Sequence, residues 1–336
     1  MQRAPEASRM MEAMLRSFVL LLATPAFAAP MTQLQTRLET LVRTAPGKVG
    51  VAVLDLDSGA RSEVRGREPA PMASVFKLPT AIAVLRRAQE RGLPLSTIVH
   101  ARWEDRAPPW SPLAPRIPEA GLDLTLDALL EAMISESDNT AADVLLRWIG
   151  GPAEVTSAID RLGLRGIRVD RSERDLAHAL WGLPAPAHPE PLEALLAQLR
   201  ALPDSRRLEA IRLFSSDPRD QASPEALVNM LAALDAGRLL DPVHTHRLLE
   251  LMRAGRFGLR SLRAGLPADV VLAHKTGTAS ALGWSVAVND VGIARGGGRR
   301  MAIAVLVTDA HAPVERCEDV IADVARAVWE PIGPDR

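Results

Sequence analysis

The chain has 336 residues, 47% of them hydrophobic and 24% charged, enough to bury a substantial core as one large domain or two modest ones. A formal charge of −1 and the lack of any basic tract give no electrostatic footprint for nucleic acid, so a small molecule or cell-wall material is the expected partner. The single cysteine, Cys317, excludes an internal disulfide and reads as a buried small side chain on the last helix, not as a nucleophile.

The first residues read as an export signal. Arg3, Arg9 and Arg16 precede the apolar run Phe18 to Ala23 and the small-residue pattern Ala26-Phe27-Ala28, which predicts removal of residues 1–28. The run is too short to cross a bilayer, and no cysteine beside it offers a lipid attachment point. A periplasmic or secreted protein without a membrane anchor is expected, with residues 29–336 as its mature domain.

A helix is predicted over Thr32 to Arg43, then two strands around the turn Asp57-Ser58-Gly59. The middle is helical. Ala73 to Arg91 stops at Gly92, Leu126 to Ile134 follows a capping Thr125, Thr140 to Ile149 stops at Gly150-Gly151, and Glu154 to Leu162 follows. Ser223-Pro224-Glu225 pairs a capping serine with proline at the first helical position and opens a helix to about Asp235. The runs "VVLAHKTGTAS", "GWSVAVNDVGIA" and "RRMAIAVLVTDA" are β-rich, and Val314 to Val328 makes a closing helix. "ARGGGRRM" precedes no helix and reads as a hairpin turn, not a phosphate loop. Strands at both ends with helices between predict an α+β fold: one antiparallel sheet from the N- and C-terminal segments, an inserted all-α block, and a cleft between them.

Only three lysines occur among the 40 basic residues, which makes their placement informative. Ser74 and Lys77 stand three apart at the start of a helix, so their side chains share a face. A serine hydroxyl needs a neighbouring base, and a partly buried lysine can give up its proton where arginine cannot. Ser137-Asp138-Asn139 falls between two helices, and a second lysine opens Lys275-Thr276-Gly277 at the end of a strand.

The order SxxK, SDN, KTG resembles the class A serine β-lactamases and related penicillin-binding proteins. Trp110-Ser111-Pro112 is similar to the aromatic gate at the family's cleft edge, and His274 before the KTG motif resembles the extended-spectrum branch. The resemblance covers most of residues 32–330 and implies a β-lactamase/transpeptidase-like fold. It implies that Ser74 attacks the lactam carbonyl and that Lys77 acts as base, directly or with a water route through Glu173. Ser137 would pass the proton to the leaving nitrogen, and Asn139 would bind the substrate's side-chain amide and help hold Lys77. Lys275, Thr276 and Thr278, with Gly277 between them, would receive the substrate carboxylate, and the N–H groups of Ser74 and Thr278 would form the oxyanion hole. No metal or organic cofactor is implied, and family precedent favours a monomer.

"RSERDLA" places Arg171, Glu173 and Leu176 where the family has its Ω-loop, with Glu173 as the deacylating base. Ala177 departs from the asparagine that many members have there. Arg171 and Asp220 resemble the ion pair that closes the loop, yet 220 − 171 = 49 positions separate them. So long a segment is expected to carry its own structure. Pro191 to Leu202 and Ser205 to Phe214 have helical spacing, predicting two short helices near the cleft mouth within an insertion at about 178–213.

The class C pattern needs a tyrosine at the second motif, and the chain has none. Class D lacks an SDN with a downstream glutamate. A D-alanyl-D-alanine peptidase, or a penicillin-binding receptor that stays acylated, shares the three motifs and remains open as an alternative. His244 and His246, two apart on a helix, point to different sides, and no Cys or third His lies at ligand spacing, so they read as surface or capping residues and not as a metal pair.

Overall fold

A computed structural model describes residues 28–184 and 191–330, so the expected export signal lies outside the described residues except for Ala28. The N-terminal helix α1 (Ala28–Arg43) starts before the expected Thr32 and buries Leu34 and Leu38, one turn apart. It leads into β1 (Lys48–Asp55) and β2 (Arg61–Val64), the hairpin expected around Asp57-Ser58-Gly59.

The C-terminal part supplies β5 (Val271–Ala281), β6 (Trp284–Gly296), β7 (Arg299–Ala310) and the closing helix α11 (Val314–Trp329), with β3, β4 and α2 to α10 lying before it. The five strands form one antiparallel sheet in the order β2-β1-β7-β6-β5. Val51 faces Val305 across the β1–β7 seam, where the two ends of the chain meet. Gly297 and Gly298, with φ of +53° and +73°, make the two-residue turn between β6 and β7 that the glycine run predicts.

Alternation along these strands divides the core in two. Val49, Val51 and Val53 pack beneath α1 and α11 together with Ile303, Val305 and the buried Cys317. Ala52, Leu54, Ala302, Ala304 and Leu306 point the other way, into the helical half of the molecule.

That half is built around α2 (Lys77–Glu90), in which every residue from Lys77 to Leu85 is buried. The predicted helix from Ala73 begins instead as a 3₁₀ turn over Ala73–Phe76, with Ala73 at φ +44°. The cause is tertiary: Asn289 on β6 donates through Nδ2 to the carbonyls of Pro71 (2.9 Å) and Met72 (3.0 Å) and holds the entering chain in place.

A two-stranded antiparallel pair of β3 (Ile98–Ala101) with β4 (Leu122–Thr125) comes next, each strand of four residues and the two separated by residues 102–121, too short and too far apart to be legible in the sequence. Thr125 caps α3 (Leu126–Ile134), and Asp138 caps α4 (Asn139–Ile149), which ends at the left-handed Gly150. α5 (Pro152–Arg161) follows. A capping box of Ser172 and Asp175 opens α6 (Glu173–Trp181). The two helices expected beyond it are α7 (Leu192–Ala201) and α8 (Asp204–Ser216). Ser223 caps α9 (Pro224–Asp235) as predicted, and α10 (Pro242–Arg253) is the helix that carries His244 and His246. Among the described residues no helix is long and apolar enough to cross a membrane.

Candidate active site

Ser74 sits in the 3₁₀ turn and Lys77 is the first residue of α2, so the i, i+3 spacing brings Lys77 Nζ to 3.1 Å from Ser74 Oγ. Lys77 is fully buried, and its ammonium is met from several elements. It donates to Asn139 Oδ1 (2.7 Å) and to the Ser137 carbonyl (2.7 Å), and Glu173 Oε1 lies at 2.8 Å. Burying a cation without such partners would cost several kcal/mol, on the order of a whole domain's stability margin.

The SDN segment is held from below. Both Asp138 oxygens accept the Ser111 hydroxyl at 2.9 Å, and Oδ2 takes the Leu113 N–H at 2.7 Å, which ties the Trp110-Ser111-Pro112 stretch to the motif. Ser137 adopts φ +54°, a strained value for a serine, and its Oγ accepts from Lys275 Nζ at 2.9 Å. Asn139 Nδ2 donates to the Pro108 carbonyl at 2.7 Å, so this amide spans Lys77 and the cleft wall.

On β5, Gly277 allows a close approach that any side chain would block. A Cβ there would lie 2.5 Å from the Met72 carbonyl oxygen and 3.0 Å from Ser74 N. The strand therefore packs directly on the turn that carries Ser74. Lys275 is buried beside it, and burial, reinforced by the Lys77 charge, pushes its pKa down to about 7 against the pull of Glu173 and Asp290. His274, one residue before, is buried with Nδ1 2.8 Å from Asp290 Oδ1.

Glu173 is the first residue of α6, and its Oε1 stands 3.4 Å from Ser74 Oγ, within one water of it. The loop before it is clasped by Arg171, whose Nε meets Asp220 Oδ2 at 2.6 Å and whose second nitrogen meets Asp217 at 3.0 Å. Asp220 also accepts the N–H groups of Asp170 and Arg171, and its own carbonyl takes the Met72 N–H at 3.0 Å. The clasp of the loop and the turn of the serine are thus one hydrogen-bonded unit.

These groups surround a cavity of about 440 Å³. Ser74, Ser137, Asn139, Glu173, Thr276 and Thr278 line it, while Lys77 bonds to Ser74, Lys275 bonds to Ser137 and Gly277 packs on the turn of Ser74 behind them. Trp110, half exposed, stands at the rim and meets Phe257 edge-on with ring centres 5.6 Å apart.

A family model described as "Beta-lactamase enzyme family" matches residues 33–332. The chain belongs to the β-lactamase enzyme family. It is 31% identical to a β-lactamase of Streptomyces fradiae over 313 residues, covering 92% of this chain and 90% of that one. Among solved structures it resembles a β-lactamase from Chitinophaga pinensis, at 31% identity and a TM-score of 0.73, covering 88% of this chain and 98% of the other. An ancestral class A β-lactamase superposes with a TM-score of 0.71 at 32% identity, covering 88% and 98%. The β-lactamase fold expected from the motifs is therefore the fold observed, and the class A branch is the matching one.

Two polar residues important to this β-lactamase site escaped the sequence reading. Asn289 stands opposite Gly277 on the neighbouring strand and acts through the chain before Ser74, a long-range relation without a local signal. Asp143 accepts the backbone N–H of Glu173, and here a signal existed: it lies one helical turn after Asn139 on the same face. The remaining histidine reading also finds its place. His244 closes on the capping Asp241 (2.8 Å), and His246 reaches Glu250 (3.1 Å), one turn on.

Proposed function

We propose that the protein hydrolyses β-lactams through an acyl-enzyme on Ser74, which a water activated by Glu173 then releases. The observation that carries this reading is the position of Glu173 Oε1, 2.8 Å from Lys77 Nζ and 3.4 Å from Ser74 Oγ: one carboxylate serves both the nucleophile and its lysine.

The Ser74 hydroxyl proton passes to the Lys77–Glu173 pair as Oγ bonds to the lactam carbonyl carbon. The N–H groups of Ser74 and Thr278 receive the developing oxyanion, with Gly277 keeping strand and turn in close contact. As the C–N bond breaks, Ser137 donates its proton to the departing nitrogen and takes the Ser74 proton in its place through Lys77, whose Nζ lies 3.5 Å from Ser137 Oγ, so Lys77 and Glu173 end the step as they began. Lys275, Thr276 and Thr278 hold the substrate carboxylate, and Asn139 holds its side-chain amide. In the second half Glu173 takes a proton from water as the water oxygen adds to the acyl carbon, and that proton passes to Ser74 Oγ as the ester bond breaks, returning both residues to their starting state. Export as a periplasmic or secreted monomer completes the proposal.

An intact-mass time course with benzylpenicillin on the wild type and on Glu173→Gln tests it. A transient adduct with accumulating product in the wild type, and a persistent adduct in the variant, is the expected result. A wild type that stays acylated without product overturns hydrolysis and makes the protein a penicillin-binding receptor or peptidase. Ala177 is the feature that would then explain it: its methyl sits in a small apolar cluster with Trp181 and Leu195 and offers a water no hydrogen bond.

A further inference from the structure

The cavity continues past Ser74 along α6 into the inserted segment. Its wall there consists of Leu176, Leu180 and Trp181 from α6 and Phe214 from α8. Leu176, Trp181 and Phe214 each show less than a tenth of their surface, so they are packed into the wall and not loosely draped over it.

Phe214 is fixed from behind. The Arg171 guanidinium lies 5.1 Å from its ring centre, and that guanidinium is itself held by Asp217 and Asp220. α8 also seats tightly on the end of α6, since a Cβ at Gly182 would come within 2.8 Å of the Ala210 methyl. A preformed apolar surface binds an apolar group without the cost of ordering the wall.

The charge of the lining points the same way. Among the described residues that line the cavity, Glu173 alone carries a charge, and no Lys or Arg lines it. An anionic substituent in this part of the cleft would face a carboxylate and find no cation on the wall, since Arg171 lies behind Phe214 and is already held by two aspartates, whereas an aromatic ring would find Phe214, Trp181 and Leu180.

We propose that the inserted segment builds an aryl subsite onto the cleft, with Phe214, Trp181 and Leu180 as specificity-determining residues, and that it selects β-lactams whose acylamino group ends in an uncharged aromatic ring. The assignment rests on the reading of Ser74 as the residue acylated by β-lactams. It adds a role for α8 that belongs to the insertion of this chain.

Three penicillins that differ only in the side chain test it: 6-aminopenicillanic acid, benzylpenicillin and its carboxybenzyl analogue. The wild type is expected to show a kcat/KM for benzylpenicillin at least about tenfold above each of the other two, the scale on which apolar pocket contacts discriminate. Phe214→Ala is expected to shrink the ratio of benzylpenicillin to 6-aminopenicillanic acid severalfold. Leu180→Ser, at a half-buried position, is expected to do the same and guards against a Phe214 variant that merely unfolds. If the three substrates fall within about twofold of one another in the wild type, or neither variant alters the ratio, the subsite is wrong while the lactamase reading stands. If none of the three gives adduct or product, the lactamase reading falls and the subsite with it. An adduct without turnover leaves the comparison intact, because acylation rates then replace kcat/KM.

Discussion

The carboxyl group of Asp143 on α4 accepts the backbone N–H of Glu173 at 2.7 Å and that of Arg174 at 3.1 Å. The helix that begins directly after the SDN serine and aspartate thereby sets the start of the helix that carries the candidate base. Burial, reinforced by the charges of Glu173 and Asp175, raises the Asp143 pKa to about 8 against the pull of these two hydrogen bonds. Asp143→Ala leaves two donors without their acceptor, a loss of about 1–3 kcal/mol. The acyl-enzyme lifetime on Ser74, followed by intact mass, is expected to lengthen by about tenfold or more, with partial recovery in Asp143→Asn. An unchanged lifetime in Asp143→Ala would show that Glu173 needs no such anchor.

The Arg171–Asp220 pair is buried on both sides and supported by the backbone. Removing one partner strands a buried guanidinium, at a cost of about 3–5 kcal/mol. Asp220→Ala should therefore lower the melting midpoint by several degrees and make the chain between positions 171 and 220 sensitive to protease. A variant that melts like the wild type and resists digestion would mean that Asp217, 3.0 Å from the same guanidinium, is a sufficient clasp.

At Gly277 an added methyl has no room, because the atoms it meets are backbone: the Met72 carbonyl oxygen at 2.5 Å and the Val75 nitrogen at 2.8 Å. Gly277→Ala is expected to push strand and turn apart and misalign the Ser74 and Thr278 N–H groups. The loss in kcat should approach the ~10²–10³ associated with removal of an oxyanion donor, while circular dichroism still shows a folded protein whose melting midpoint is lowered by the overpacking, at a cost of about 1–3 kcal/mol. Retained kcat would place the oxyanion elsewhere.

Lys275, with its pKa brought down to about 7, carries its proton below that value and loses it above. Only the protonated form attracts a substrate carboxylate, so kcat/KM for benzylpenicillin should fall along an alkaline limb that begins near pH 7. Once bound, the carboxylate favours the charged lysine, so the corresponding limb of kcat should lie at higher pH. Lys275→Arg, which stays charged throughout, should abolish the limb in kcat/KM even where it lowers the absolute rate. Identical profiles in the two proteins would remove Lys275 from carboxylate recognition.

Much of this arrangement was legible because it is local. Ser74 and Lys77 share a face at a spacing of three, a relation that survives the change from the expected α-helix to the 3₁₀ turn actually present. The caps at Thr125 and Ser223, the Gly297-Gly298 turn and the helices of the insertion were equally local. The 3₁₀ turn itself was not, since it is imposed by Asn289 from a strand more than two hundred residues away in sequence. α6 was obscured for another reason. Its opening "ERD" has no apolar residue to mark a buried face, so the resemblance points to Glu173 while only the contacts show that Glu173 and Arg174 are buried. Phe257 carries no motif, and its place opposite Trp110 is a product of tertiary packing.

The clasp between Arg171 and Asp220 has a bearing on how such a protein can change. The chain leaves the catalytic frame after α6, whose start with Glu173 is anchored by Asp143, and re-enters it at Asp220, so α7 and α8 between them are mechanically a pendant. Length and side chains can be exchanged in that pendant, redrawing the roof of the cavity through residues such as Phe214, while Ser74, Lys77 and Ser137 stay on elements that do not share its fate. What the protein accepts and how it reacts are thereby housed in parts of the chain that can drift at separate rates.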